Sequence, residues 1–185
     1  MLQAPKIFLV GPMGSGKSTV AGSLAEQLGW PWLDLDREIQ AQAGKTIPQI
    51  FAEEGEVGFR DVEQQVLDDV AARPQAMVVA TGGGVVLRGT NRQRMRQAGC
   101  VVYLWADVET LLARTKGDFN RPLLQVADPK AKLAALQEER EPLYREADRI
   151  EDTTNHQPEQ VADRLAEWVR NLFSEATGPV SGSPE

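Results

Sequence analysis

The stretch GPMGSGKS at residues 11–18 decides the fold of this 185-residue chain. It matches the pattern G-x-x-x-x-G-K-[ST], in which glycines let the backbone wrap closely around phosphate oxygens. The short apolar run Ile7–Val10 precedes it and predicts a buried parallel strand. Ser18–Leu28 follows with the apolar spacing of a helix, so amides at the helix N-terminus would point at a bound anion.

The side chains of this loop predict nucleotide binding. Lys17 would reach the β- and γ-phosphates, and the Ser18 hydroxyl would ligate Mg²⁺. The alternative is a glycine-rich turn that opens an ordinary helix, with Ser15 and Thr19 serving only as caps. Because both flanks of the motif are present, the sequence favours the phosphate site. The nucleotide-binding residues predicted here are Gly14, Ser15, Gly16, Lys17, Ser18 and Thr19.

Strand-like and helix-like segments alternate along the rest of the chain. The further predicted strands are Trp32-Leu33, Met77–Ala80, Cys100–Trp105 and Arg149–Glu151. The further predicted helices are Ile39–Ala43, Ile47–Glu54, Val57–Ala72, Asn91–Gln97, Val108–Arg114, Pro129–Glu146 and Pro158–Phe173. This alternation predicts a three-layer α/β/α fold around a mostly five-stranded parallel sheet. We expect one domain over residues 1–173 and a disordered tail over residues 174–185, which is rich in Gly, Pro and Ser.

The composition excludes several classes of protein. The chain has 20 Lys and Arg against 27 Asp and Glu, a formal net charge of −7, which argues against a general nucleic-acid binder. No apolar run approaches the ~20 residues of a membrane span, so no membrane partner is expected. The single cysteine, Cys100, excludes an internal disulfide, and with one histidine it excludes a Cys/His zinc site. No signal peptide is recognised, so we expect a cytoplasmic protein.

Two carboxylates, Asp34 and Asp36, follow the second predicted strand. At a strand end this spacing would put both on one face. The strand Met77–Ala80 ends without an acid, so the acid on the metal side must come from elsewhere. We expect Asp34 to orient the Mg²⁺ shell through water and Asp36 to accept a hydrogen bond from a substrate hydroxyl. The alternative is that both aspartates only cap the helix that begins near Arg37.

Six short motifs, in their order along the chain, resemble those of the shikimate kinase family. They are GPMGSGKST (11–19), DLD (34–36), FR with a following Glu (59–63), TGGG (81–84), RPLL (121–124) and REPLY (140–144). The resemblance covers roughly residues 5–172. It implies a P-loop kinase that uses ATP and Mg²⁺ to convert shikimate to shikimate 3-phosphate, a step towards the aromatic amino acids. It also implies a monomer, substrate-binding helices at about residues 34–62 and a mobile lid at about residues 113–126.

The resemblance assigns roles to individual residues. Asp36 would bind shikimate hydroxyls as the suggested base, and Arg60 and Arg140 would hold the carboxylate. The substrate ring would lie against Gly82, Gly83 and Gly84. Arg121 would sit on the lid and join Lys17 and Asp36 as a catalytic residue. Arg114 would flank adenine, with the loop of His156 and Gln157 on its other side.

Elementary chemistry agrees with these roles, and two alternatives stay open. The rigid guanidinium fork suits a carboxylate, and two arginines would distinguish an acid from a neutral sugar. A gluconate-type kinase would also bind a carboxylate, so Arg60 by itself does not exclude it. A non-catalytic nucleotide-binding module is disfavoured, because the residues expected for phosphoryl transfer are present. For His156 by itself, the residues favour a plain surface loop over a functional role.

Overall fold

A computed structural model describes residues 5–116 and 126–175 of the chain. Its described residues contain one five-stranded sheet in the order β2-β3-β1-β4-β5, and all four strand pairings are parallel. The strands are β1 (Lys6–Val10), β2 (Trp32–Asp34), β3 (Met77–Ala80), β4 (Gly99–Trp105) and β5 (Arg149–Asp152). The central strands are continuous apolar runs because helices cover both of their faces.

Helices form the two outer layers. They are α1 (Lys17–Leu28), α2 (Leu35–Ala43), α3 (Ile47–Ala72), α4 (Gly89–Ala98), α5 (Val108–Thr115), α6 (Pro129–Tyr144) and α7 (Pro158–Glu175), with a 3₁₀ turn at Val85–Leu87. Helices α1 and α7 pack on one face of the sheet, and α2, α3, α4 and α6 pack on the other. This is the predicted three-layer α/β/α fold. None of the helices described is long and apolar enough to cross a membrane.

The topology places a crevice at the carboxyl end of β1. This strand lies between β3 and β4, where successive connections run to opposite sides of the sheet. Ligands of open parallel sheets bind at such a position, outside the carboxyl ends of the strands. The loop of residues 11–16 leaves β1 at this point, and Thr81 follows β3 beside it. The Thr81 hydroxyl donates to Leu9 O at 2.8 Å, which ties the two strand ends together.

Some predicted boundaries differ from the structure. The two helices predicted over residues 47–54 and 57–72 both lie within α3, and the predicted break between them is confirmed at Gly55, whose φ of 70° and ψ of −174° are not helical. Helix α7 continues to Glu175, two residues beyond its predicted end. The predicted lid includes residues 117–125 and the predicted tail includes residues 176–185, and both ranges lie outside the described residues. The single-domain boundary and the lid therefore stay predictions.

Candidate active site

The loop of residues 11–16 curls back on itself beneath the N-terminus of α1. Lys17 Nζ donates to two loop carbonyls, Gly11 O at 2.7 Å and Pro12 O at 2.9 Å. Gly16 occupies the cap position of α1 in the left-handed region, at φ 91°, which is costly for residues with a Cβ. No side chain caps this helix end. The alternative in which Ser15 or Thr19 serves as the cap is therefore wrong.

A hydroxyl and a carboxylate meet beside this loop. Ser18 Oγ donates to Asp34 Oδ2 at 2.6 Å. Mg²⁺ prefers oxygen ligands and often takes only one or two from protein, with water and phosphate completing the shell. The described residues contain no cluster of three or more His, Cys, Asp or Glu side chains suited to a metal. The Ser18–Asp34 pair thus fits a metal that is held mostly by nucleotide and water.

The strand geometry predicted for the two aspartates is wrong. Strand β2 ends at Asp34 and helix α2 begins at Leu35, so Asp36 lies in the first helical turn. Asp34 is the N-cap of α2, and its Oδ1 accepts from the amides of Asp36 and Arg37 at 3.0 and 3.3 Å. Asp34 therefore does cap a helix, although the helix begins at Leu35 rather than near Arg37 and Asp36 lies within it. Its second oxygen, Oδ2, still faces Ser18, so capping and a role beside the metal are compatible.

The three glycines at 82–84, here called the glycine triad, are enclosed by the predicted substrate side chains. A Cβ on Gly82 would lie 2.8 Å from Asp36 Oδ1, and one on Gly84 would lie 2.5 Å from Arg60 Cζ. A Cβ on Gly83 would lie 3.5 Å from Arg140 Nη1. Asp36, Arg60 and Arg140 come from three different helices, α2, α3 and α6. The structure therefore brings together the aspartate, both arginines and the triad, as expected.

Glu63 is a member of this group to which no role was assigned from the sequence. Its side chain is 1% exposed, and its Oε2 accepts from Arg60 Nη1 at 2.7 Å. Burial raises the pKa of Glu63, and the Arg60 guanidinium opposes that rise. The i, i+3 spacing after Arg60 was a possible signal for this ion pair. Spacing could not show that the pair is buried, since burial depends on other elements.

Arg114 connects the loop of residues 11–16, called the phosphate loop after its sequence motif, with the loop that follows β5. Its guanidinium donates to Thr153 O at 2.6 Å, to Thr153 Oγ1 at 3.0 Å and to Gly14 O at 3.3 Å. His156 and Gln157 are exposed further along the same loop. The structure thus brings Arg114 to the loop predicted to flank adenine, and Thr153 is the contact that the sequence did not reveal. Arg121 lies outside the described residues.

The electrostatics of the site suit anionic ligands in spite of the net charge. Lys17, Arg60, Arg114 and Arg140 all lie at the carboxyl edge of the sheet. Arg140 is 8% exposed, and the sheet and helices around it keep its charge poorly solvated. A guanidinium in such surroundings interacts strongly with a carboxylate or a phosphate. The acidic excess of the chain therefore coexists with a narrow basic site.

Comparisons with known proteins agree with this geometry. A family model described as shikimate kinase matches residues 13–170. A shikimate kinase of Acinetobacter baumannii is 52% identical over 169 residues, which are 91% of this chain and 92% of that protein. A solved structure described as shikimate kinase from Acinetobacter baumannii in complex with shikimate superposes with a TM-score of 0.86. It has 46% identity and covers 91% of this chain and 94% of that chain.

The gluconate-type alternative has a structural counterpart with a much weaker likeness. A gluconokinase from Sinorhizobium meliloti superposes with a TM-score of 0.59 at 19% identity, covering 92% of this chain and 97% of that one. Such a likeness shows a common fold and no more. The family model, the identity over most of both chains and the close superposition all select one family. The chain belongs to the shikimate kinase family.

Proposed function

We propose that this chain transfers the γ-phosphoryl group of ATP to the 3-hydroxyl of shikimate and releases ADP and shikimate 3-phosphate. The observation that carries the proposal is the enclosure of the glycine triad by Asp36, Arg60 and Arg140. A triad without side chains leaves room for a ring to lie against the backbone. Two arginines and one carboxylate beside it suit a substrate with one carboxylate and several hydroxyls.

The acceptor would be oriented from both ends. Arg60 and Arg140 would bind the shikimate carboxylate, and their burial makes each charge-assisted hydrogen bond stronger than it would be in water. Asp36 would accept a hydrogen bond from the reacting side of the ring and take up the hydroxyl proton. Phosphoryl transfer depends mainly on positioning and charge stabilisation, so Asp36 need not be a strong base.

The donor would lie along the phosphate loop. Lys17 now bonds two loop carbonyls, and we expect its ammonium group to turn to the β- and γ-phosphates when ATP binds. The backbone around Gly14–Gly16 and the hydroxyls of Ser18 and Thr19 would face the phosphates. Ser18 and Asp34 would hold Mg²⁺, Asp34 through water, and the metal would neutralise charge that develops on the transferred group.

The remaining assignments complete the nucleotide site. Arg114 would flank the adenine, with His156 and Gln157 on the opposite side. Arg121 would come from the lid and contribute positive charge as the lid closes and excludes water.

We further propose that the protein acts as a cytoplasmic monomer. Analytical ultracentrifugation tests the monomer, since a dimer would sediment at twice the expected mass.

The decisive experiment is a coupled assay of ADP release with shikimate or gluconate as acceptor. We expect turnover with shikimate and Mg·ATP and no turnover above background with gluconate. Arg140→Ala should abolish turnover at ordinary shikimate concentrations and leave ATP binding intact. The matched control is Arg145→Ala, because Arg145 follows α6, is 55% exposed and pairs only with Glu141 among the described residues. Faster turnover with gluconate than with shikimate would contradict the proposal.

A further inference from the structure

Tyr144, the last residue of α6, touches the glycine triad through its hydroxyl. The phenol donates to Gly83 O at 2.5 Å, across 61 positions of sequence. Its side chain is almost fully buried, with 1% of the residue exposed. A buried hydrogen bond to a carbonyl in a segment of three glycines restrains backbone that is otherwise free to vary. The contact is thus placed where the acceptor ring would rest.

The ring of Tyr144 is fixed by a second tyrosine. Tyr103 on β4 stacks against it, with ring centroids 5.0 Å apart and an interplanar angle of 24°. The Tyr103 hydroxyl donates to Glu141 Oε2 at 2.5 Å and does not reach the triad. The two rings are therefore alike in burial and stacking, and they differ in the group that each hydroxyl contacts. This difference provides a matched pair for experiment.

Tyr144 also adjoins the arginine that faces Gly83. Arg140 lies one helical turn before it, so both side chains share a face of α6. A Cβ on Gly83 would lie 3.5 Å from Arg140 Nη1 and 3.6 Å from the Tyr144 hydroxyl. Burial raises the pKa of Tyr144 to about 12, and the charge of Arg140 and its hydrogen bonding to the phenol oppose that rise. The phenol consequently remains a hydrogen-bond donor at neutral pH.

We propose that Tyr144 is a positioning residue for the acceptor substrate. By holding the Gly83 carbonyl and adjoining Arg140, its hydroxyl sets the distance between the backbone that supports the ring and the guanidinium that binds the carboxylate. The inference rests on the proposed function, which places shikimate in this space. It assigns Tyr144 no contact with the phosphate loop, so ATP binding does not depend on the phenol.

Tyr144→Phe tests this role, because it removes the hydroxyl and keeps the stacked ring. A lost hydrogen bond of ordinary strength corresponds to a KM for shikimate about three- to tenfold higher. We expect that increase with the KM for ATP unchanged within about twofold. Tyr103→Phe is the control, since it should lower the melting temperature by a similar amount and leave both KM values unchanged. A calorimetric titration of the protein with shikimate, in the absence of ATP, should show the same loss of affinity for Tyr144→Phe.

Three outcomes would overturn the inference. The first is a Tyr144→Phe enzyme whose KM for shikimate stays within twofold of the wild type. The second is an equal increase of both KM values, and the third is the same increase in Tyr103→Phe, which would indicate general loosening of the packing. The wild-type assay separates this inference from the proposed function. An inactive wild type contradicts the function, whereas an active wild type with an unaffected Tyr144→Phe contradicts only the role of Tyr144.

Discussion

Ser18 Oγ and Asp34 Oδ2 lie 2.6 Å apart and join the first turn of α1 to the end of β2. The other oxygen of Asp34 caps α2 at the amide of Asp36. One carboxylate thus anchors the helix that presents Asp36 and also faces the hydroxyl beside the phosphate loop. Asp34 therefore connects the proposed ATP side of the site with the proposed shikimate side.

Asp34→Asn separates these two roles. The amide oxygen can still cap α2, whereas the negative charge that would attract the Mg²⁺ shell is lost. We expect kcat to fall at least about a hundredfold and the Mg²⁺ concentration for half-maximal rate to rise. The melting temperature should fall only slightly. Steady-state assays across a Mg²⁺ series measure both effects.

The matched control for that variant is Asp107→Asn. Asp107 caps α5 in the same way, and its side chain accepts from the Thr110 amide at 2.7 Å. The control should reproduce any loss of stability without the dependence on Mg²⁺. An Asp34→Asn enzyme with wild-type kcat at every Mg²⁺ concentration would show that Asp34 has only the capping role.

Glu63→Gln tests the buried ion pair with Arg60. The variant keeps the shape of the side chain and an acceptor for Arg60, but it removes the carboxylate charge and with it the ion pair, which leaves a weaker hydrogen bond. We expect Arg60 to be held less firmly, so the KM for shikimate should rise about five- to tenfold and that for ATP should not change. Asp61→Asn is the control, because Asp61 pairs with Arg88 at the same 2.7 Å but is 66% exposed. Equal effects in both variants would contradict a specific role for the buried pair.

Gly84→Ala tests the close approach of Arg60 to the triad. The backbone of Gly84, at φ −96° and ψ 2°, is accessible to alanine, so the effect is steric. The new Cβ would overlap the guanidinium, which lies with its Cζ only 2.5 Å away. We expect Arg60 to be displaced and the KM for shikimate to rise at least about tenfold.

Gly89→Ala is the control for that substitution. Gly89 starts α4, and the nearest atom to its added Cβ would be Arg92 Nη2 at 3.7 Å, an ordinary contact. Shikimate and ATP kinetics should match the wild type within about twofold. A Gly84→Ala enzyme with the same kinetics as Gly89→Ala would refute the steric argument.

Lys6 links stability to pH. This fully buried residue at the start of β1 donates from Nζ to Arg73 O at 2.7 Å, at the C-terminus of α3. Burial lowers the pKa of Lys6 below its usual 10.5. As the pH rises towards 10.5 the unfolded chain keeps this proton longer than the folded protein does, so Lys6 makes the free energy of unfolding rise with pH.

Lys6→Met should remove this dependence. Urea unfolding at several pH values should show the stability of the wild type increasing relative to the variant as the pH approaches 10.5. Lys130→Met is the control, because Lys130 is 55% exposed and its pKa is raised by Glu109. A constant difference between the wild type and Lys6→Met across this range would contradict the assigned pKa direction.

Elements that depend on neighbouring residues follow from the sequence, whereas contacts between distant segments do not. The motif at residues 11–18 and its flanking apolar runs predicted β1, the loop and α1, because each depends on neighbours along the chain. The same local logic failed for Asp36, since strand and helix are both compatible with alternate polar residues. The Asp34 cap, which fixes α2 from Leu35 onward, decided between them.

The amino-acid sequence by itself determined the layered fold and the family, and it predicted the side chains that we propose to face the two ligands. Its motifs contain the glycines and the regularly spaced apolar residues that the local backbone geometry requires, together with the charged residues of the site. Only the tertiary structure decided which residues position those side chains, such as Glu63 beneath Arg60 and Tyr144 against Gly83. Burial and contact between distant segments arise when helices pack on the sheet, and no local pattern encodes them.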